Sequence, residues 1–323
     1  MKALVVEALT ADFSRIGLRQ VARPAPGPRE ALVRVEAASL NFPDLLMLKG
    51  EYQFRPEPPF VAGMDFAGVV EEVGEGVACF GPGDRVAGGV RTGAFAEFTL
   101  ADEASLQRVP ETLGMAGAAA YPAAYTTAHV SLVEQANLKA GETLLVHGAS
   151  GGVGMAAIDV GRLLGAQVIA TTGSPAKMAA LRAYGAHEVT PSAGFRERVK
   201  EITDGRGADV ILDPVGGDVF DESTRCIAFG GRLLVVGFAG GRIAAMKTNI
   251  ALIKGFSVIG VRAGEFGRRF PEKGREVRET IWRWAAEGST RPAVFAELPL
   301  ERWREAYELM RDRGLVGKVV LRM

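Results

Sequence analysis

The spacing of apolar and polar positions divides the chain into two stretches with different rhythms. Through roughly the first 120 residues the apolar runs are short, often alternating, and interrupted by glycine and proline. Residues 31–37 (ALVRVEA) alternate apolar and polar, directly after a turn-prone segment, 24–28. Residues 69–73, the glycines at 74 and 76, the segment Gly81-Pro82-Gly83-Asp84-Arg85-Val86 and the alternating residues 93–100 continue the pattern. A small, turn-rich β domain with few helices follows from it.

The rhythm changes near Pro122. Residues 125–134 read as a helix, and Lys139-Ala140-Gly141-Glu142 as a turn before a buried strand at 143–147. Strand and helix then alternate: an apolar run at 167–171, a helix at 175–184 ended by Gly185, and apolar runs at 208–213, 233–236 and 257–261. Continuous apolar strands joined by crossover helices imply a doubly wound parallel sheet of the α/β class. Beyond Gly264 a helix at 272–287, a strand at 293–298, a helix at 300–313 and a last strand at 318–321 form a tail that is expected to return to the first domain. One domain is therefore assigned residues 1–122 and 265–323, the other 123–264. Nothing in the chain repeats.

Composition narrows the partners. With 38 basic and 38 acidic residues the net charge is zero, which argues against a nucleic-acid or anionic-membrane binder. The arginines of residues 268–283 alternate with Glu272, Glu276 and Glu279 at helical spacing, as a solvated helix face does. No apolar run reaches the roughly 20 residues of a membrane span. Residues 3–6 open the chain as a strand rather than a signal peptide, and Cys79 and Cys226 stand far apart without metal spacing. The expectation is a cytoplasmic protein with free thiols.

The sharpest motif is Leu144-Leu145-Val146-His147-Gly148-Ala149-Ser150-Gly151-Gly152-Val153-Gly154, which runs into Met155-Ala156-Ala157-Ile158. An apolar strand ends in a glycine-rich turn and a helix begins at once. Glycines allow a sharp turn and close approach to a pyrophosphate, and the helix N-terminus supplies free N–H groups. A tight strand-to-helix turn in an unrelated α/β fold would share the glycines, but the flanking elements favour a dinucleotide held by Ser150, Gly151, Gly152 and Val153. The second strand then selects the dinucleotide. An acidic residue at its end would hold a ribose 2′-OH. This chain instead has Thr172, Gly173, Ser174 and Lys177, donors and a cation suited to a 2′-phosphate, so NADPH is the expected cofactor. For Lys177 the competing reading is a solvated residue of the helix's first turn.

Together these segments resemble the zinc-independent quinone oxidoreductase (zeta-crystallin-like) branch of the medium-chain dehydrogenase/reductase superfamily. The resemblance also rests on Ala38-Ser39-Leu40-Asn41-Phe42-Pro43-Asp44, Gly50-Glu51-Tyr52, Pro59-Phe60-Val61-Ala62-Gly63, Asp213-Pro214-Val215-Gly216-Gly217 and Gly317-Lys318-Val319-Val320-Leu321. It implies a GroES-like β-rich catalytic domain built from both chain ends and a Rossmann domain inserted between, with the cofactor in the cleft between them. Zinc-dependent relatives carry Cys where Asn41 stands and Gly-His-Glu where Gly63-Met64-Asp65 stands. The three histidines, His129, His147 and His187, all fall in or beside Rossmann elements, so no catalytic zinc site is expected.

The resemblance further implies that Asn41, Asp44, Tyr52 and Thr127 line the nicotinamide end. Gly237, Phe238 and Ala239 would approach the nicotinamide ribose, and Val261, Arg262 and Lys318 would complete the site. Turn capping is the competing role for Asn41 and Asp44, and ordinary packing for Tyr52. Where relatives often have a Tyr after the third Rossmann strand this chain has Thr190-Pro191, and where they often have an aromatic pair after the sixth it has Arg262-Ala263. The implied reaction is hydride transfer to a quinone, with Tyr52 donating a hydrogen bond to the developing oxyanion and Asn41 beside it. A 2-alkenal, enone or enoyl reductase is the alternative enzyme. A non-catalytic NADPH sensor or an RNA-binding crystallin-like protein is the alternative of another class. A homodimer is expected through the apolar edge strand at residues 256–261.

Overall fold

The structure, a computed structural model, describes residues Met1–Met323 and resolves into two compact units. Met1–Ala123 with Pro292–Met323 make the first; Ala124–Arg291 make the second.

The first unit is the expected β-rich, GroES-like domain. A seven-stranded sheet is organised on the long strand Glu30–Ser39, which pairs antiparallel with Asp65–Val73, with Lys318–Arg322 and with Phe98–Asp102. Val294–Pro299, Arg85–Gly89 and Leu106–Arg108 extend it, and a smaller sheet joins Ile16–Gln20, Lys2–Val6 and Phe60–Val61. Leu4, Val33, Val35, Phe66, Phe95 and Tyr307 are buried between them. Register fixes what matters later: Ser39 lies opposite Asp65 on one side and Val320 on the other. The antiparallel register extends past the ladder, where Leu40 N–H donates to Val319 O at 3.0 Å. Asn41 is thereby carried to the level of Lys318. Two short helices, Phe42–Leu48 and Met115–Ala120, interrupt the strands.

The second unit is the doubly wound sheet. Its strands are β1 (Thr143–Val146), β2 (Gln167–Thr172), β3 (Glu188–Pro191), β4 (Ala208–Asp213), β5 (Ile227–Val235) and β6 (Ser257–Gly260). They run parallel in the order β3-β2-β1-β4-β5-β6, the dinucleotide-binding arrangement in which strand order reverses beside β1. Leu144, Leu145 and Val146 are wholly buried, as expected of a strand covered on both faces.

One sequence reading is borne out and one is corrected. The helix expected at 125–134 lies within a helical run that starts as an α-helix, Pro122–His129, and widens into a π-helix, Val130–Gln135. The tail does not return to the first unit at residue 265, because the helices Ala263–Arg269 and Pro271–Ala286 belong to the second. The longer helix buries Val277, Ile281 and Ala285, spaced as one helical stripe. Its Trp284 ring lies 5.3 Å from that of His129, also in the second unit. The boundary falls at Pro292, after that stripe has been buried. No helix is long and apolar enough to cross a membrane.

Candidate functional site

In the second unit the glycine-rich turn follows β1. Gly148 has φ +55°, a left-handed conformation that favours glycine. A Cβ at Gly154 would lie 2.6 Å from both Ala149 Cα and Gly148 O, so glycine is needed where the helix Gly152–Leu163 packs onto the turn. The first bond closing that helix runs from Met155 N–H to Gly151 O at 2.8 Å. The amides of Gly152, Val153 and Gly154 precede it, at the positive end of a helix long enough for its dipole to count. Backbone and glycines fit a pyrophosphate.

The end of β2 supplies the neighbouring chemistry. Lys177 Nζ donates to Ser150 Oγ at 3.4 Å, linking the turn to the segment after β2, and Ser174 N–H donates to Thr172 Oγ1 at 3.3 Å. Partial burial pulls the Lys177 pKa down. A Cβ at Gly173 would meet nothing within 4 Å, so the backbone there borders open space. Ser150, Thr172, Ser174 and Lys177, read from separate motifs, are thus neighbours. Thr190 Oγ1 turns to the Pro191 carbonyl at 3.5 Å.

Beyond β4 and β5 two loops bind each other. Asp213 Oδ1 accepts from the amides of Val215 (2.8 Å) and Gly216 (2.9 Å), and Ala239 N–H donates to Pro214 O at 3.0 Å. This interlock sets Gly237, Phe238 and Ala239 at the carboxyl end of the sheet. Val261 is held by its N–H to Val235 O at 2.9 Å, while Arg262 is exposed and turned to Glu265. The motif reading missed His147, a wholly buried side chain. Its Nδ1 meets Thr171 Oγ1 at 2.9 Å and its Nε2 meets Ser223 Oγ at 2.8 Å. Burial lowers its pKa to about 3, so a neutral ring ties β1, β2 and the helix Gly217–Cys226 together behind the turn.

The first unit holds a buried polar cluster. Lys318 Nζ donates to Asn41 Oδ1 at 2.7 Å and lies 3.4 Å from Asp65 Oδ2. Asn41 Nδ2 donates to Asp65 Oδ2 at 3.0 Å and more distantly to Ser39 O, and the Ala123 amide donates to the same Asp65 oxygen at 3.2 Å. Asp44 acts as the reciprocal cap of its helix: its Oδ2 accepts from Asn41 N–H at 2.7 Å. It is buried, its Oδ1 has no partner, and burial raises its pKa to about 8. The capping role weighed for Asn41 and Asp44 is therefore present in the structure. Asn41 is also bonded through its amide to Asp65 and Lys318. In the sequence Asp65 stands only as a counterpart of the zinc motif, and the signal for it is a lone acid that opens a buried strand. Tyr52 is half-buried in the irregular segment before Phe60–Val61, and Thr127 lies on the helix Pro122–His129, its carbonyl accepting from Ser131 Oγ at 2.6 Å. No three His, Cys, Asp or Glu side chains are grouped to hold a metal ion.

Comparison with known proteins agrees with both halves. A family model described as the alcohol dehydrogenase GroES-like domain matches residues 27–134, and one described as zinc-binding dehydrogenase matches residues 152–282. The quinone oxidoreductase-like protein 2 of Mus musculus is 37% identical over 94% of this chain and 88% of its own length. A probable oxidoreductase from Mycobacterium abscessus superposes with TM-score 0.90 at 37% identity, covering 100% of this chain and 99% of its own. A mycobacterial structure complexed with NADPH gives TM-score 0.92 at 29% identity, with 100% of each chain covered. The GroES-like unit, the doubly wound unit with its glycine turn, and these likenesses lead to one conclusion: the chain belongs to the quinone oxidoreductase branch of the medium-chain dehydrogenase/reductase superfamily.

Proposed function

We propose that the protein is a zinc-independent, NADPH-dependent reductase of quinones. The observation that carries the cofactor is the Lys177–Ser150 contact. It gathers a cation and hydroxyl donors beside the glycine turn, at the position where an NAD site would need a carboxylate. NADPH, when bound, supplies the hydride from nicotinamide C4. The protein's contribution is orientation. The amides of Gly152, Val153 and Gly154 hold pyrophosphate, Ser150, Thr172, Ser174 and Lys177 hold the 2′-phosphate, and Gly237, Phe238, Ala239 and Val261 border the nicotinamide half.

Zinc independence is supported by the Lys318 ammonium, which lies 3.4 Å from Asp65 Oδ2 and bonds to Asn41. A buried cation there repels a second one, and neither Asn41 nor Met64 is a ligand zinc favours. A quinone suits the site because its reduced anion is stabilised by its own ring. The Tyr52 hydroxyl assists with one hydrogen bond. NADPH oxidation is to be followed with 1,4-benzoquinone and with trans-2-hexenal as acceptors. Quinone turnover is expected to win, and Tyr52→Phe to lower kcat/KM by about ten- to a hundredfold. A wide margin for the enal would replace the quinone reading by the alkenal one; binding of NADPH without turnover of either acceptor would favour a sensor.

We also propose a homodimer. β6 pairs only with β5, and apolar side chains are exposed on β6 (Val258, 39% exposed), on β5 (Phe229, 88%) and on the helix Thr248–Lys254 before β6 (Leu252, 82%, and Ile253, 75%). Unpaired apolar edges are liabilities unless covered, and a second copy across a two-fold axis covers them. Light scattering should give twice the 34.2 kDa chain mass; a monomer at all concentrations overturns the dimer. Cys226 is buried and Cys79 exposed, both as free thiols, which fits a reducing, cytoplasmic setting.

A further inference from the structure

The buried His147 ring is bonded at both nitrogens, and its partners decide where its proton sits. Ser223 Oγ lies 2.8 Å from Nε2 and already gives its own proton to Val219 O at 2.7 Å. A hydroxyl has one proton to give, so Ser223 Oγ accepts from Nε2–H. The other end gives the same answer independently. The Thr171 hydroxyl is wholly buried and meets only Nδ1, at 2.9 Å. A buried O–H without an acceptor is costly, so it donates to Nδ1, which is therefore unprotonated. Burial lowers the ring's pKa to about 3, which keeps it at one proton, and Phe195 packs edge-on with ring centroids 4.6 Å apart. The result is a one-way chain of donors: Thr171 to His147, His147 to Ser223, Ser223 to Val219 O.

This chain adjoins both segments that the cofactor reading uses. His147 precedes Gly148, where the glycine turn begins, and Thr171 precedes the segment from Thr172 to Lys177. Ladder pairing between β1 and β2 ends at Val146 opposite Ala170. Past that point Thr171 is tied to the turn twice: its hydroxyl donates to His147, and its carbonyl accepts from Ala149 N–H at 3.1 Å. Ser150 follows Ala149 and is the residue that Lys177 reaches at 3.4 Å. The place of Lys177 beside the turn therefore depends on how the end of β2 is set against the end of β1. We propose that His147 is a positioning residue for cofactor choice: held as the Nε2–H tautomer between Thr171 and Ser223, it sets the 2′-phosphate segment against the glycine turn. The inference rests on the NADPH reading above. NADH uses the turn but carries no 2′-phosphate, so the mark of this role is a loss that falls on NADPH alone.

The test uses the full-length protein, unsubstituted and as Thr171→Val, Thr171→Ser and Ser223→Ala, and reads NADPH and NADH affinity by fluorescence. Thr171→Val removes the hydroxyl with little change of shape. It should weaken NADPH binding about three- to tenfold, the worth of one hydrogen bond, and leave NADH nearly unchanged. Thr171→Ser keeps the donor and should bind NADPH as the unsubstituted protein does. Ser223→Ala lies at the far end of the chain, away from both cofactor segments, and should show the same selective loss because Nε2–H loses its acceptor. Equal losses for the two dinucleotides in Thr171→Val, or no loss of NADPH affinity in either Thr171→Val or Ser223→Ala, overturn the proposal. Equal affinities in the unsubstituted protein are a different failure: they strike the NADPH reading, and the proposal with it. Should a variant not fold, NMR of the unsubstituted protein labelled with 15N-histidine still decides. His147, told from the other two histidines by His129→Gln and His187→Gln, should show a protonated Nε2 and an unprotonated Nδ1; a protonated Nδ1 overturns the proposal.

Discussion

The glycine turn of the second unit and the Asn41–Asp65–Lys318 cluster of the first are built in different ways. The turn presents backbone N–H groups whose positions follow from a short contiguous segment: Gly148 at positive φ, Gly154 pressed against Ala149. The cluster presents one side-chain cation whose position follows from strand register across the whole chain. A backbone cradle costs no buried charge and tolerates side-chain change around it. A buried ammonium depends on every partner that compensates it, and removing one leaves a buried charge uncompensated. The first device is local and robust, the second dispersed and fragile.

That contrast yields the largest expected effect. Lys318→Met leaves Asp65 without its counter-charge in the interior and should cost about 3 kcal/mol of stability by urea denaturation, in the range seen when one partner of a buried pair is removed. The double variant Asp65→Asn with Lys318→Met should recover a substantial part, since no uncompensated charge remains. Lys177→Ala, a change at the other site, should cost under about 0.5 kcal/mol without cofactor. Equal losses at the two sites would erase the distinction.

The same contrast decides what could be read before the structure. The doubly wound sheet was legible because each strand is a continuous apolar run, and the cofactor turn because its glycines, strand and helix are contiguous. Asn41, Asp44 and Lys318 became candidates through resemblance, but Asp65, which ties two of them together, did not. Its role depends on Ser39 pairing with both Asp65 and Val320, a long-range register that no window of sequence contains. His147 was passed over for a related reason: its partners Thr171 and Ser223 lie on other elements. The boundary at 265 misplaced a helix because a solvated arginine and glutamate face said nothing of the Val277, Ile281 and Ala285 stripe beneath it.

Asp44 gives the next largest effect, and it separates a charged cluster from a merely polar one. Its pKa is raised from 3.8 to about 8, chiefly by burial, with Asp65 adding to the rise and Lys318 and the Asn41 amide opposing it. Above pH 4 the unfolded chain has released this proton and the folded chain still holds it, so the folded state binds more protons. Stability from this group is therefore complete below the unfolded pKa and is lost as pH rises toward 8, at up to about 1.4 kcal/mol per pH unit. Asp44→Asn can still accept from Asn41 N–H and does not titrate. Its stability should decline less than that of the unsubstituted protein between about pH 6 and about pH 8, by about 2 kcal/mol over the interval. Parallel declines in urea midpoints would show that Asp44 is already ionised in the fold.

The smallest effect sharpens the other half of the comparison. If the second unit's site is a backbone cradle with one added cation, then the cradle sets affinity for any dinucleotide and Lys177 sets only the choice between two. The unsubstituted protein should bind NADPH about tenfold more tightly than NADH, a difference of about 1.4 kcal/mol. Lys177→Ala should remove most of that gap and leave NADH affinity nearly unchanged, because the amides of Gly152, Val153 and Gly154 are untouched. Lys177 is partly buried and within reach of Ser150, so its charge is less screened than that of a fully exposed lysine. Raising salt should therefore weaken the NADPH preference only in part. Titration of both dinucleotides by intrinsic fluorescence, at low and high salt, separates the outcomes. Equal affinities in the unsubstituted protein would sink the NADPH assignment. A fall in both affinities on Lys177→Ala would mean that the lysine shapes the turn itself through Ser150, and that the cradle is less independent of its side chains than its glycines suggest.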